Sequence, residues 1–289
     1  MYTERIASCL RALIFAAFHN PMRKQGIAIV AIAKNESEYI REWVAFHKAV
    51  GFDRIILYDN DSTDNMRDKI KCFISDGFVI YETISGEGLQ LKTYNLALKK
   101  YGKRYRYCAF IDCDEFLFPI DNTKDLCGLL DSYVAKDYHI GGWAVNWCLY
   151  GSSGHEKKPN GGVIENFTWR AQLPDGQGNQ CIKTIVIPDR VKYFNHPHYP
   201  IYKRGFYNVD FSGRVVPDWR NRIVDYVGFR INHYFTKSKQ EWIERRSMKR
   251  ADGYGYRTME EFYSHDNNDV EDYSALYYKY EMDDLLRNC

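Results

Sequence analysis

The chain has 289 residues, 45% of them hydrophobic, which is enough for one large α/β domain or two small ones. Its net charge of +2 neither favours nor excludes nucleic acid, and no nucleic-acid partner is predicted. The eight cysteines are scattered without a C-x-x-C pair. This distribution argues against a zinc site or a disulfide framework and predicts reduced thiols in a cytoplasmic protein.

A mostly apolar run, residues 6–18, precedes the first predicted strand. The run is too short to span a bilayer, and no small-x-small cleavage site leads from it into a mature domain. We interpret it as part of an N-terminal helical segment, residues 1–26, that packs against the domain. A shallow contact with a membrane or a partner is the alternative.

Apolar runs alternate with helical patterns from residue 27 onward. Buried strands are predicted at four runs of apolar residues, namely 27–32, 54–58, 78–81 and the run that begins at Tyr107. Three helices are predicted between them, and each is followed by a glycine. This β-α-β-α-β-α-β order predicts an α/β fold with a mostly parallel central sheet flanked by helices.

Polar residues follow three of the predicted strands, in Lys34-Asn35-Glu36, Asp59-Asn60-Asp61 and Asp112-Cys113-Asp114. Ligands bind at the carboxyl ends of strands in open α/β sheets. Asp112 and Asp114 are two residues apart, so in extended backbone they point to the same side and suit a hard divalent ion that also holds phosphate. An acidic, solvated turn is the alternative. The chain lacks both G-x-G-x-x-G after the first strand and a P-loop motif, which argues against a dinucleotide-binding Rossmann domain and a P-loop enzyme.

The second half of the chain is less regular. A glycine-rich stretch, 151–162, predicts either a mobile lid or a plain surface loop. A strand near 227–231 leads to His233, and Ser238 with Glu241 predicts the capping box of a basic helix. No internal repeat or long linker is present. We therefore predict one domain, with a nucleotide-binding half at 27–120, a mixed acceptor half at 121–253 and a helical tail at 254–289.

As an ordered set, the three polar motifs resemble the nucleotide-binding half of GT-A glycosyltransferases. Gly151-Ser152-Ser153-Gly154-His155 and His233-Tyr234 with Lys237-Ser238 resemble glycosyltransferase family 92, a group related to family 2. The resemblance extends from about residue 27 to residue 253. It implies a GT-A type nucleotide-diphospho-sugar transferase fold.

The resemblance also implies a UDP-sugar donor with Mn²⁺ or Mg²⁺ on its diphosphate, because a divalent ion neutralises the leaving group. Asp114 is the implied metal ligand, Asp112 a ligand of the ribose or of the metal, and His233 a third metal ligand. His196 and His198 are alternatives to His233, and a hydrogen-bonded core histidine is the structural alternative. The remaining predicted donor contacts are Lys34, Glu36, Asp59, Asp61, Gln90, Lys92, His155 and Lys237.

Family 92 members are inverting enzymes, which need a general base for the acceptor hydroxyl. Spacing does not locate this base, and Glu165 and Asp210 are the candidates. Trp147 and Trp169 are candidates for stacking on sugar rings, with a core position as the alternative.

The predicted function is a metal-dependent inverting glycosyltransferase. It moves a sugar, galactose by family analogy, from a UDP-sugar to a glycan or lipid-linked glycan acceptor, as in bacterial surface polysaccharide synthesis. A nucleotidyl or phosphoryl transferase and a non-catalytic carbohydrate-binding protein are the alternatives. The basic helix at 245–250 predicts either peripheral contact with the inner face of the membrane or a solvated helix face.

Overall fold

The computed structural model of the protein describes residues 25–172, 178–246 and 255–289. The predicted N-terminal helix and the end of the predicted basic helix, residues 247–250, lie outside the described residues. Within these three ranges, no helix is long and apolar enough to cross a membrane.

Strands and helices alternate in the first half, as the sequence predicts. Its elements are β1 (Gln25–Ala33), α1 (Ile40–Val50), β2 (Arg54–Asp59), α2 (Met66–Lys69), α3 (Lys71–Ser75), β3 (Val79–Thr83), α4 (Gln90–Tyr101), β4 (Tyr105–Phe110), β5 (Glu115–Pro119) and α5 (Leu126–Lys136). The single helix predicted before residue 75 is two short helices, α2 and α3.

Short strands dominate the second half. Its elements are β6 (Ile140–Leu149), α6 (Val163–Asn166), β7 (Trp169–Arg170), β8 (Ile182–Val186), β9 (Val191–Phe194), β10 (Pro200–Tyr202), β11 (Tyr207–Val209), β12 (Phe229–His233), α7 (Lys239–Arg246), α8 (Met259–His265), β13 (Val270–Glu271) and α9 (Lys279–Arg287). Two 3₁₀ turns, Pro188–Arg190 and Ser274–Tyr278, precede β9 and α9.

One large mixed sheet organises the described residues. Its nine strands run in the order β3-β2-β1-β4-β8-β6-β12-β5, with β11 paired to β6. The first four are mutually parallel, whereas β8 is antiparallel to both β4 and β6. The α/β fold and the mostly parallel sheet are therefore as predicted, and the reversal at β8 is a feature that the pattern of apolar runs does not reveal.

The central strand β1 is buried on both faces, because helices cover both sides of the sheet. Ile27 and Ile29 pack in the larger core, which also contains residues of α1. Ala28 and Val30 pack in a second core with Tyr94 and other residues of α4. A continuous apolar run is the pattern expected for a strand that is enclosed in this way.

The acidic motif lies in a tight turn between β4 and β5. The Glu115 N–H donates to the Asp112 carbonyl at 3.1 Å, which closes the turn. Beyond the turn, β5 pairs antiparallel with β12, with Glu115 opposite His233. Asp112 and Asp114 therefore lie in a turn, and not in the extended strand for which the prediction that they point to the same side was made.

The C-terminal tail packs against the domain. Tyr278 and Met282 are buried in the larger core, and the Arg41 guanidinium donates to the Leu286 carbonyl at 2.7 Å. This packing brings Cys289 to Cys72 on α3, and the two form a disulfide across 217 residues of sequence. The prediction that all thiols are reduced is wrong for this pair, because sequence spacing does not reveal a contact made by packing.

Candidate functional site

The loops that follow β1 and β2 are tied together at the carboxyl edge of the sheet. Asn35 has a left-handed backbone (φ 56°), and its N–H donates to Ser62 Oγ at 3.0 Å. In return, the Thr63 N–H donates to Asn35 Oδ1 at 2.7 Å. Asparagine tolerates the left-handed region better than most residues. This reciprocal pair fixes two of the three predicted polar clusters against each other.

The predicted nucleotide contacts in these loops differ in their exposure. Asp59 accepts hydrogen bonds from the Ser62 N–H at 2.9 Å and from the Tyr81 hydroxyl at 2.7 Å. Asp61 is exposed, and hydrogen bonds from Ser85 and from the Gly86 N–H lower its pKa. Lys34 is exposed at the start of the first loop, and Lys92 is exposed on α4.

Asp112 is held by side chains from two other elements. Gln90 Nε2 and the Tyr94 hydroxyl, one turn apart on α4, lie 2.8 Å and 3.3 Å from Asp112 Oδ1. Lys183 Nζ lies 2.8 Å from Asp112 Oδ2. Both carboxylate oxygens therefore have hydrogen-bond donors. Gln90, predicted as a donor contact, is hydrogen-bonded to the acidic turn, and its contact with the donor stays a prediction.

Lys183 and Glu115 form a buried pair beneath Asp112. Lys183 Nζ is 3.8 Å from Glu115 Oε1, and the two side chains are 1% and 0% exposed. Burial raises the pKa of Glu115 well above its ordinary value, although Lys183 opposes this shift. Burial alone would lower the pKa of Lys183, but Asp112 and Glu115 raise it above its ordinary value. Lys183 therefore carries its charge inside the protein, where its attraction to Asp112 is strong.

Asp114 faces a different set of partners. Its Oδ1 lies 3.5 Å from His233 Nε2, and its Oδ2 lies 3.4 Å from an Arg245 guanidinium nitrogen. Burial by itself would raise the pKa of Asp114, but attraction to His233, Arg245 and Lys237 holds the pKa well below its ordinary value. Asp114 is thus ionised in a buried pocket that is rich in cations.

Glu36 and Lys237 complete this pocket. Burial raises the pKa of Glu36, whereas the charges of Lys237 and Arg245 act to lower it and that of Asp114 adds to the increase. Lys237 is buried, and its ammonium lies 4.9 Å from the centre of the Tyr39 ring. The structure therefore brings together Glu36, Asp114, His233 and Lys237, which come from three distant parts of the sequence.

The pocket fits a divalent ion on a diphosphate through two of the three predicted metal ligands, Asp114 and His233. Among the described residues, no three His, Cys, Asp or Glu side chains are grouped as a complete metal site. Asp114 Oδ1 and His233 Nε2 are nevertheless close enough, at 3.5 Å, to share one ion. Such an ion needs only one or two protein ligands, because phosphate oxygens and waters supply the rest. Asp112 contacts Lys183 and Gln90 instead, and its role as a ligand of the ribose or of the metal stays a prediction.

Four other candidates have local structural partners. His155 Nε2 lies 3.0 Å from the Asn166 carbonyl, and His198 Nδ1 lies 2.8 Å from the Ile182 carbonyl. Glu165 caps α6 through the Gly162 N–H and pairs with Lys279 at 3.1 Å. Asp210 is buried and accepts hydrogen bonds from Ser212, Arg214 and Asn221. These contacts do not join Glu165 or Asp210 to the acidic turn, and the identity of the general base remains a prediction.

A strip of aromatic rings leads away from His233. Successive ring centres are 4.2 Å (His233 to Trp147), 5.0 Å (Trp147 to His198), 5.1 Å (His198 to His196) and 5.6 Å (His196 to Trp219) apart. All of these rings except that of His233 are half-buried. We call Trp147, His198, His196 and Trp219 the aromatic strip. Trp169, the other predicted stacking residue, lies on β7 outside this series of contacts.

A sequence model of glycosyltransferase family 92 matches residues 27–254. The chain belongs to glycosyltransferase family 92. Among curated relatives, a family 92 protein of Oryza sativa subsp. japonica is 26% identical over 237 residues, which cover 70% of this chain and 38% of the relative. A family 92 protein of Arabidopsis thaliana is 23% identical over 255 residues, covering 82% of this chain and 43% of the relative. The chain thus spans about two fifths of the length of these relatives.

Solved structures with a similar arrangement are more distant. S. aureus TarS 1–349 in complex with UDP-GlcNAc is 13% identical, with a TM-score of 0.43 over 91% of this chain and 72% of that one. Glucosyl-3-phosphoglycerate synthase from Mycobacterium tuberculosis, in complex with Mn²⁺, UDP-glucose and phosphoglyceric acid, is 19% identical. Its TM-score is 0.28, over 43% of this chain and 44% of that one.

The predicted membership of family 92 is confirmed. Two residues of this family 92 site were missed by sequence reasoning. Lys183 had a usable signal, because it is a single charge within the otherwise apolar and β-branched run Ile182–Val186. Arg245 was assigned to a basic helix face, and only the packing of α7 shows that it faces Asp114.

Proposed function

We propose that this family 92 chain is a metal-dependent inverting glycosyltransferase that uses a UDP-sugar. The observation that carries the proposal is the separation of the two motif carboxylates. Asp112 is anchored by Lys183, whereas Asp114 faces His233 across 3.5 Å. One carboxylate is thus available for donor hydroxyls and the other for a divalent ion.

The donor nucleoside would lie along the loops that follow β1 and β2. Asp59 and Glu36 line this edge, and hydrogen bonds hold the carboxylate of Asp59 in a fixed orientation. Asp112 retains partial exposure, with 34% of its side chain accessible, and can accept a hydrogen bond from a ribose or sugar hydroxyl. UDP is the nucleotide that the family resemblance implies.

Asp114 and His233 would hold Mn²⁺ or Mg²⁺ together with diphosphate oxygens. The ion would neutralise the negative charge that develops on the leaving diphosphate. Lys237 contributes a buried positive charge on the same side of the pocket. A preformed positive environment of this kind favours departure of the leaving group, because it needs no rearrangement during the reaction.

In the proposed reaction, an acceptor hydroxyl oxygen attacks the anomeric carbon of the donor sugar. The bond from this carbon to the diphosphate oxygen breaks, UDP leaves with the bonding electron pair, and the configuration inverts. The hydroxyl proton passes to a carboxylate base, for which Glu165 and Asp210 remain the candidates. The aromatic strip, which begins beside His233, is the surface on which we propose that the acceptor glycan lies.

Three finer points of the proposal follow from the family resemblance and the sequence alone. They are galactose as the donor sugar, a lipid-linked glycan acceptor in surface polysaccharide synthesis, and a cytoplasmic protein in peripheral contact with the membrane. Arg245 is directed to Asp114, so it does not add to a basic surface that would favour this membrane contact.

The test is UDP release from a panel of UDP-sugars, with Mn²⁺ and with EDTA, for the wild type and Asp114→Ala. We expect release from one donor that requires the ion and is lost in the variant. Asp284→Asn is the matched control, because Asp284 is exposed on α9 and pairs only at the surface with Arg287. Release that survives both EDTA and Asp114→Ala would contradict the proposed metal site. Tight UDP binding without turnover in the presence of glycan acceptors would favour a binding protein instead.

A further inference from the structure

Asp114 is a buried carboxylate whose partners stand at long distances. Its side chain is 12% exposed, yet the contacts to His233 Nε2 and Arg245 are 3.5 Å and 3.4 Å. Ordinary N–H···O hydrogen bonds are about 2.7–3.2 Å long. Asp112 in the same turn is held by two contacts of 2.8 Å. Asp114 is therefore neutralised by nearby charge without being tightly bonded, which leaves room for a closer ligand.

The Arg245 guanidinium is also loosely held. Its second contact is a hydrogen bond to the Phe235 carbonyl, again at 3.4 Å. Arg245 lies in the last turn of α7, on the same side of the helix as Glu241 and the buried Trp242. Both of these contacts, which Arg245 makes with described residues, are weak, and a long arginine side chain held in this way can move its charge by several ångströms while the helix remains in place.

The start of α7 is fixed by short contacts. The Tyr39 hydroxyl donates to Glu241 Oε1 at 2.7 Å, and the Ser238 N–H donates to Glu241 Oε2 at 3.1 Å. Trp242 Nε1 donates to the Thr258 carbonyl at 2.9 Å. The helix therefore holds the Cα of Arg245 near the acidic turn whichever anion its guanidinium contacts.

We propose that Arg245 is a movable counter-cation that pairs with Asp114 before ligands bind and transfers to the donor diphosphate when the ion and the UDP-sugar bind. The proposal rests on the proposed function, because it requires both a divalent ion and a diphosphate in this pocket. A divalent ion at Asp114 repels the guanidinium, since like charges a few ångströms apart interact strongly in a partly buried site. The diphosphate carried with the ion offers a new anionic partner, and arginine matches phosphate oxygens in a bidentate manner.

The proposed exchange predicts opposite effects of Arg245 on the affinities for the ion and for UDP, which a purely structural arginine would not produce. Arg245 competes with the ion for Asp114 but assists the diphosphate. Removal of its charge is therefore expected to strengthen binding of the ion alone and to weaken binding of UDP alone. A loss of packing would instead weaken both, because both ligands use the same pocket.

The experiment measures two affinities by calorimetry, that of Mn²⁺ without nucleotide and that of UDP with EDTA. For Arg245→Gln we expect the Kd for Mn²⁺ to fall about threefold or more and the Kd for UDP to rise about tenfold. Arg245→Lys keeps the charge and is expected to lie between the wild type and Arg245→Gln in both measurements. Lys239→Gln is the matched control, because Lys239 is on the same helix but pairs with the exposed Glu156. Both of its affinities should stay within about twofold of the wild type.

Arg245→Gln affinities that both weaken, or that both stay unchanged, would overturn the exchange while leaving the proposed function intact. Thermal unfolding of each variant distinguishes a folding defect from a local effect, and Arg245→Lys retains the test if Arg245→Gln does not fold. Failure of the wild type to bind Mn²⁺ and UDP would overturn the proposed function and the exchange together.

Discussion

Lys183 Nζ lies 2.8 Å from Asp112 Oδ2, although the two residues belong to opposite halves of the chain. The antiparallel pairing of β8 with β4 sets Thr184 opposite Phe110, so Lys183 comes directly beside the acidic turn. The ammonium also lies 3.8 Å from Glu115, which is fully buried. One lysine thus fixes the first carboxylate of the motif and lies beside the buried Glu115.

Replacement of Lys183 by methionine is expected to weaken both the fold and donor binding. Removal of the Lys183 charge is expected to lower the free energy of unfolding, because Asp112 loses its 2.8 Å ion pair and the ammonium beside buried Glu115 is lost. Donor affinity should fall because Asp112 loses a partner that orients it. Urea unfolding and titration with UDP-sugar measure the two effects. Lys99→Met, at an exposed position on α4, is the control, and unchanged unfolding of Lys183→Met would contradict the buried pair.

Asn substitutions at Asp112 and Asp114 are expected to have different effects. Asp114→Asn should weaken Mn²⁺ binding about tenfold or more, because it removes the charge beside His233. Asp112→Asn should leave the affinity for Mn²⁺ nearly unchanged and raise the KM for the donor, since Asp112 is paired with Lys183. Calorimetry with Mn²⁺ and donor-dependent UDP release make the comparison. Equal losses of Mn²⁺ affinity would mean that both carboxylates bind the ion.

If the acceptor glycan lies on the aromatic strip, a substitution in the strip should impair binding of the acceptor but not of the donor. Trp219→Ala is expected to raise the KM for a glycan acceptor roughly three- to tenfold, because one stacking surface is lost. Hydrolysis of the donor without acceptor should not change, since Trp219 is linked to His233 only through the rings of Trp147 and His198 among the ring contacts given above. Tyr280→Ala, which removes an 84% exposed ring on α9, serves as the control. A change in donor hydrolysis, with acceptor KM unaltered, would count against this assignment.

His47 predicts how stability depends on pH. It is fully buried, its Nδ1 lies 2.8 Å from the Trp43 carbonyl, and its Nε2 accepts a hydrogen bond from the Leu117 N–H at 3.1 Å. Burial lowers the pKa of His47 to about 3, from an ordinary value of 6.5. Below pH 6.5 the unfolded chain therefore binds a proton at this position that the folded chain does not. The contribution of His47 to the free energy of unfolding is fully present above pH 6.5 and is lost as the pH falls towards 3.

Between pH 7.5 and pH 5.0, we expect His47 to account for a loss of roughly 2 kcal/mol in the free energy of unfolding, at about 1.4 kcal/mol per pH unit below 6.5. His47→Gln, which does not titrate, should show a smaller loss over this interval. Guanidinium unfolding of both proteins at the two pH values measures the difference. Identical losses would show that His47 is protonated as readily in the folded state as in the unfolded chain.

Patterns local to the sequence were sufficient to predict the first half of the fold. The continuous apolar runs of β1 and β2 reflect strands that are covered on both faces, and the glycine after α1 adopts the left-handed conformation that ends a helix (φ 112°). The polar clusters after β1, β2 and β4 meet at one edge because parallel strands place their carboxyl ends together. Family 92 membership was likewise accessible from ordered motifs.

The partners of the two carboxylates in the acidic motif are set by the tertiary structure. From sequence alone, Asp112 and Asp114 were expected to share one cation, but the turn between β4 and β5 directs them to different partners. Those partners, Lys183 on β8 and Arg245 on α7, lie 71 and 131 residues away in sequence. A local pattern reports which faces of an element are buried, whereas the pairing of β8 with β4 and the packing of α7 depend on contacts across the whole chain. The sequence by itself therefore determined the class of the fold and the edge that carries the site, and only the packed structure determined which cation neutralises each carboxylate.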